Sequence, residues 1–121
     1  MRYVARSDMP TARVNPAPVV LCVGCAPELV KRCREAAIQG QSLLVEANVS
    51  NAATLAAQTR PLVIVILEDV YRFDAASFSA LAADVRARLI TIADEQIPQQ
   101  ELEEMVVAAI IEAESMRDSF L

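Results

Sequence analysis

A chain of 121 residues with 55% hydrophobic content has material for one domain with one core, and its formal charge of −5 works against nucleic acid as a partner, since binding DNA or RNA rests on Lys and Arg neutralising phosphates. No histidine is present, which removes the commonest general base and the commonest metal ligand. Aromatic residues make up only 4% and none is Trp, so alanine and branched aliphatic side chains must fill the core, as suits thin helices lying close on a sheet.

Residues 1–18 carry Arg2, Arg6 and Arg13, prolines at 10, 16 and 18, and no apolar period. They read as a flexible, mildly basic arm, with the domain proper running from 19 to 121. Val19 to Gly24 reads as a first strand, apolar and rich in Val; Gly24 permits a sharp turn, and Pro27 suits the first turn of a helix, where its missing N–H costs nothing. That helix reaches about Gln39, with Leu29, Val30, Cys33, Ala36 and Ala37 inward and Lys31, Arg32, Arg34 and Glu35 mostly outward; Gly40 is expected to cap its C-terminus.

Leu43 to Glu46 is a second apolar run, and Ser50 or Asn51 then caps a short alanine-rich helix that must end before Pro61. Leu62 to Asp69 holds six consecutive apolar residues closed by two acids, the pattern of a central strand buried on both faces. A loop is expected from Val70 to Phe73, and Asp74 caps a helix whose stripe is Phe78, Leu81, Ala82 and Val85. Leu89 to Ile92 reads as the fourth strand, and Pro98 opens the longest helix, ending near Asp118.

Strand and helix thus alternate through four repeats, which predicts an α/β domain of three layers: a four-stranded parallel sheet with helices on both faces. Right-handed crossovers make 2-1-3-4 the economical strand order, with the switch point between strands one and three. Gly24, Cys25, Glu68 and Asp69 are then expected at that carboxyl rim, flanked by Glu46 and Asp94.

From about Val19 onward the chain resembles the receiver domain of two-component response regulators, a flavodoxin-like fold. The likeness rests on the hydrophobic pattern, the acid ending the third strand, and Asp94-Glu95-Gln96-Ile97-Pro98 followed by Glu101-Leu102 and an apolar helix. Receivers carry an acidic pair after strand one, where this chain has Gly24 and Cys25, and a lysine before the proline, where it has Ile97. It is also one strand–helix unit shorter. The resemblance therefore implies a degenerate pseudo-receiver that signals by protein–protein interaction without phosphorylation. Glu68 and Asp69 alone supply too few hard ligands for Mg²⁺, and no metal or other cofactor is expected.

Cys22, Cys25 and Cys33 cannot all pair within one chain, and without a secretory segment they are expected as reduced thiols in a cytoplasm. Leu21 to Cys25 ends in Gly-Cys, as bacterial lipoprotein cleavage sites do, but the apolar stretch Val19 to Val23 is too short for a signal core. No run approaches the roughly 20 apolar residues of a membrane helix. Cys25, between a strand and a helix start, is the one candidate nucleophile. Its placement resembles the phospho-cysteine of the IIB subunits of sugar phosphotransferase systems, implying a phosphocarrier or phosphatase-like alternative. Against it, Pro27 removes an N–H donor and Glu28 repels an anion. The Cys22-x-x-Cys25 spacing also matches thiol redox proteins, but Cys22 falls inside the apolar strand, where a structural thiol is expected.

The last helix carries a stripe of Leu102, Met105, Val106, Ala109, Ile110, Ala113, Met116 and Phe120 for the sheet to bury. Val107 and Ile111 lie off that stripe and predict a second covered face, bracketed by Glu104 and Glu114. The acids Glu103, Glu104, Glu112, Glu114 and Asp118 favour a partner with a basic surface. A homodimer through this helix is expected to cross steeply, since acids would repel if two copies lay side by side.

Overall fold

The computed structural model describes residues 17–118; residues 1–16 of the arm read at the N-terminus and the inward Phe120 lie outside the described residues, while Pro18 already accepts the Leu43 N–H at 2.8 Å. The strands are β1 (Val19–Val23), β2 (Leu43–Ala47), β3 (Val63–Leu67) and β4 (Arg88–Ile92). The helices are α1 (Pro27–Gln39), α2 (Ala52–Thr59), α3 (Glu68–Phe73), α4 (Ala75–Val85) and α5 (Gln99–Asp118). All strand pairs are parallel and the order is β2-β1-β3-β4, a three-layer flavodoxin-like arrangement as the crossover rules predict.

The two central strands bury both faces because alternate side chains serve opposite layers. Val20 and Cys22 of β1 and Val63 and Val65 of β3 pack with Leu29, Cys33, Leu102 and Val106 under α1 and α5. Leu21, Val23, Ile64 and Ile66 pack with Ala52, Ala56, Phe78 and Ala82 under α2 and α4. Full burial of an isoleucine such as Ile64 or Ile66 contributes about 1.5–3 kcal/mol. The edge strands are wetter: Glu46 on β2 and Arg88 and Thr91 on β4 are exposed.

Four local expectations are corrected. Glu68 to Phe73 is a helix, not a strand end and a loop: Leu67 stands in extended conformation as its N-cap, acids occupy the first turn, and Arg72 pairs with Glu68 one turn back. Asn51 is the residue before α2, but its side chain does not cap it; Asn48 and Asn51 instead accept each other's backbone N–H at 2.9 Å. Gly40 caps α1 as expected, its N–H donating to Ala37 O at 3.0 Å with φ −94°, and the left-handed φ of 58° falls on Gln41. What Gly40 supplies is room, since a Cβ there would stand 2.6 Å from Ile110 Cδ1.

Arg32 does not project outward. Its Nε donates to Gln99 Oε1 at 2.9 Å, one terminal nitrogen donates to Glu95 O at 2.8 Å, and the other donates to Ile97 O. One side chain on α1 thereby clamps the loop that leads into α5. At the far end of α5, Met116 is exposed where the stripe placed it inward. Arg117 turns in instead, donating to Pro61 O at 3.0 Å and Val85 O at 3.1 Å. Its partial burial, with Arg60 and Arg86 nearby, lowers its pKa.

Candidate functional site

The carboxyl rim of the sheet, where a doubly wound fold places its ligands, is built from the turns after β1, β3 and β4. Gly24 takes φ 66° to turn the chain, and its N–H donates to Ala47 O at 2.9 Å. Because α3 starts with no intervening loop, it lays Val70 over this turn: a Cβ on Gly24 would lie 3.4 Å from Val70 Cγ1. An aliphatic side chain of the protein itself thus stands against the Gly24 turn at the switch point.

The predicted rim residues divide into two places. Asp69 and Asp94 line one polar cavity of about 320 Å³ at the ends of β3 and β4, together with Glu95 and Gln96. Asp94 Oδ1 accepts the Gln96 N–H at 2.8 Å, which shapes the loop. Among the described residues no group of three or more His, Cys, Asp and Glu side chains is arranged to hold a metal ion. Glu68 does not line this cavity; it is half-buried and pairs with Arg72 at 2.6 Å, one helical turn on.

Cys25 does not line that cavity. Its Sγ is 3.6 Å from Val23 O, and the side chain packs on the core layer beneath α1 and α5. The α1 N-terminus beside it has Ala26 as N-cap, Pro27 in the first turn and exposed Glu28. Arg32, a cation a phosphate here would need, is engaged with the loop before α5. Cys22 and Cys33 are wholly buried. Contact with Cys25, then with Cys33, and burial all push the Cys22 thiol far above its usual pKa, so it stays protonated.

Two apolar surfaces complete the picture, one on each side of the sheet. On the side of the sheet covered by α1 and α5, the outward side of α5 forms an open groove of about 450 Å³ lined by Val107, Ala108 and Ile111. Gln39, Gln100, Glu103 and Glu104 rim it. Ile111 is 60% exposed and Val107 is half-buried. Glu104 thus stands at the groove; Glu114 is exposed on α5 beyond it.

Sequence reasoning missed the second surface. A cleft of about 250 Å³ between α2 and the α3–α4 corner is lined by Val49, Ala52, Val70, Phe78 and Leu81, with Phe73 at its mouth 90% exposed. The signal was Phe73 itself, an aromatic in a segment read as loop. Comparison of the chain with protein-family models, with curated proteins and with solved structures gives no match. No helix among the described residues is long and apolar enough to cross a membrane.

Proposed function

We propose that this is a non-catalytic, receiver-like adaptor domain that works in the cytoplasm by binding protein, with the outward side of α5 as its principal contact surface. The observation that carries the reading is the strip of Val107, Ala108 and Ile111, apolar, open to solvent and edged by Glu103 and Glu104. Water against such a strip is displaced favourably by a partner's apolar side chains, and the acids select a partner with basic groups around its anchor. The rim supports the same reading from the other direction. Val70 stands against the Gly24 turn, Glu68 is paired with Arg72, and Arg32 is held by the α5 loop, so signalling through this fold would proceed without a phosphoryl group.

The test is a tagged chain used to capture partners from its native cell, compared with Val107→Glu/Ile111→Glu. Both positions point away from the core, so the variant is expected to keep the wild-type circular dichroism and melting temperature. A partner retained by wild type and lost by the folded variant supports the reading. Capture that is equal for both refutes it.

A further inference from the structure

The apolar strip on α5 lies close to the point where segment 1–16 joins the fold. Pro18 accepts the Leu43 N–H, and Gly40, in the turn that leads to Leu43, stands against Ile110 and Val107 of α5. Gln39, one residue earlier, lines the groove itself. Consecutive Cα atoms are about 3.8 Å apart, so the path from Leu43 back to Gln39 spans at most about 15 Å. Because α5 follows a parallel strand, it runs from the carboxyl rim back toward the edge where β1 begins, which puts Ile111 nearer that entry than Glu104. The strip between Glu104 and Ile111 is about 10 Å of helix. An extended chain from Pro18 to Met9 reaches roughly 30 Å, ample to enter the groove at Ile111 and lie along it.

Charge points to the same pairing. Segment 1–16 holds Arg2, Arg6 and Arg13 of the chain's 11 cations and only Asp8 of its 16 acids. The groove is edged by Glu103 and Glu104, whose carboxylates accept from the neutral amides of Gln99 and Gln100 at 3.0 and 3.4 Å. On its α1 side Gln39 is followed one turn back by exposed Glu35 and, further along the same stripe, by exposed Glu28. At about 100° per residue, Lys31 lies further round α1 from the groove than Glu35, and Arg34 further still. Acids therefore stand along the groove on both helices. Each of the other two cavities lacks half of this chemistry: the one at Asp69 and Asp94 is polar and sits at the opposite end of the sheet, and the cleft at Phe73 is apolar with Asp74 as the one acid in its lining. Within segment 1–16, Arg6 and Arg13 bracket Met9, the order in which cations and an apolar side chain would meet an apolar strip edged by acids.

From this match of reach, charge and apolar spacing we infer that the α5 groove is the docking site of the chain's own segment 1–16, with Met9 against Val107, Ala108 and Ile111, and Arg6 and Arg13 beside Glu35, Glu103 and Glu104. The inference rests on the reading of α5 as a contact surface and adds its regulation. A partner competes there with a tethered segment, so its apparent affinity falls by the fraction of the time that the groove is covered.

The experiment is disulfide trapping in the full chain carrying Cys25→Ser, which leaves the wholly buried Cys22 and Cys33 as the only native thiols. Met9→Cys is combined with Ala108→Cys in the groove or with Ala80→Cys, exposed on α4 on the other side of the sheet, and each pair is oxidised in dilute solution with copper phenanthroline. The disulfide within one chain is expected to form at least about tenfold faster with Ala108→Cys than with Ala80→Cys, since docking raises the local concentration of the Met9→Cys thiol at the groove alone. Adding Arg6→Glu/Arg13→Glu should bring the ratio of rates close to one, and circular dichroism checks that every variant is folded. Equal rates in the two pairs overturn the inference, as does a ratio that the charge reversal leaves unmoved. A disulfide that joins two chains overturns it too and gives the groove to a second copy. The adaptor reading is decided separately, by its own capture test.

Discussion

Replacing Arg32 by Ala is expected to destabilise the domain more than its half-exposed position on α1 suggests. The side chain donates to Gln99 Oε1 and to the carbonyls of Glu95 and Ile97, and Gln99 Nε2 returns a bond to Arg32 O at 3.1 Å. Hydrogen bonds from a charged donor contribute about 1.5–3 kcal/mol each when well shielded. These share one side chain and sit partly in water, so the whole clamp is expected to be worth about 2–4 kcal/mol and not the sum of its parts. Arg32→Lys keeps the charge but loses the planar fork, and should forfeit most of that stability, because three acceptors each met by a different guanidinium nitrogen cannot all be reached from the single nitrogen of an ammonium. Urea unfolding at equilibrium measures both, with an unchanged slope showing that only stability moved. Amide exchange should place the local loosening at the first turn of α5, where the Leu102 N–H bonds Pro98 O at 3.0 Å. An Arg32→Ala loss below about 0.5 kcal/mol, the range of an ordinary surface change, would refute the clamp. So would a lysine variant equal to wild type.

Gly40→Ala should cost about 1–3 kcal/mol by overpacking, although its φ suits any residue, because the added methyl meets buried Ile110 at 2.6 Å. Ile110→Val removes the opposing Cδ1, so the double variant should be more stable than the two single losses predict; strict additivity in urea unfolding would show that the close approach does not matter. Alkylation of the native protein should modify Cys25 first, with Cys22 and Cys33 reacting only on unfolding, since both are wholly buried. A Cys22 that reacts as fast as Cys25 would contradict the packing of β1. Because folding raises the Cys22 pKa, its contribution is complete below the unfolded thiol value and is lost as pH rises beyond it. Stability should therefore decline above about pH 8.5, by at most about 1.4 kcal/mol per pH unit, and Cys22→Val should flatten that decline.

The amino-acid sequence alone determines the layers and their order. A run such as Leu62 to Leu67 cannot leave either face in water, and alternation with helical stripes between short connections admits few topologies other than β2-β1-β3-β4. It also marks Val107 and Ile111 as misplaced on a helix whose inward stripe is already complete, and the structure puts both at an open groove. These features are periodic, and periodicity is local. The departures depend on residues far apart in the chain or on segments too short to show a period. α3 is one ion-paired helix of six residues, below the length at which a stripe can be read, yet it carries Val70 over the Gly24 turn and holds Phe73 out in water. Arg32 finds its acceptors 63 to 67 residues away, so no spacing within α1 distinguishes it from its solvated neighbours. Gly40 is the helix stop that its type suggests, but that it also leaves room for Ile110 from the other end of the chain is decided only by packing. The rim acids were placed at the correct edge of the sheet, and only the packing of α3 decided that Asp69 and Asp94 share a cavity that Gly24 and Cys25 do not line. Local sequence sets which face of each element is apolar; which distant side chain arrives there is decided when the layers close, because burial and hydrogen-bond satisfaction are properties of the assembled core.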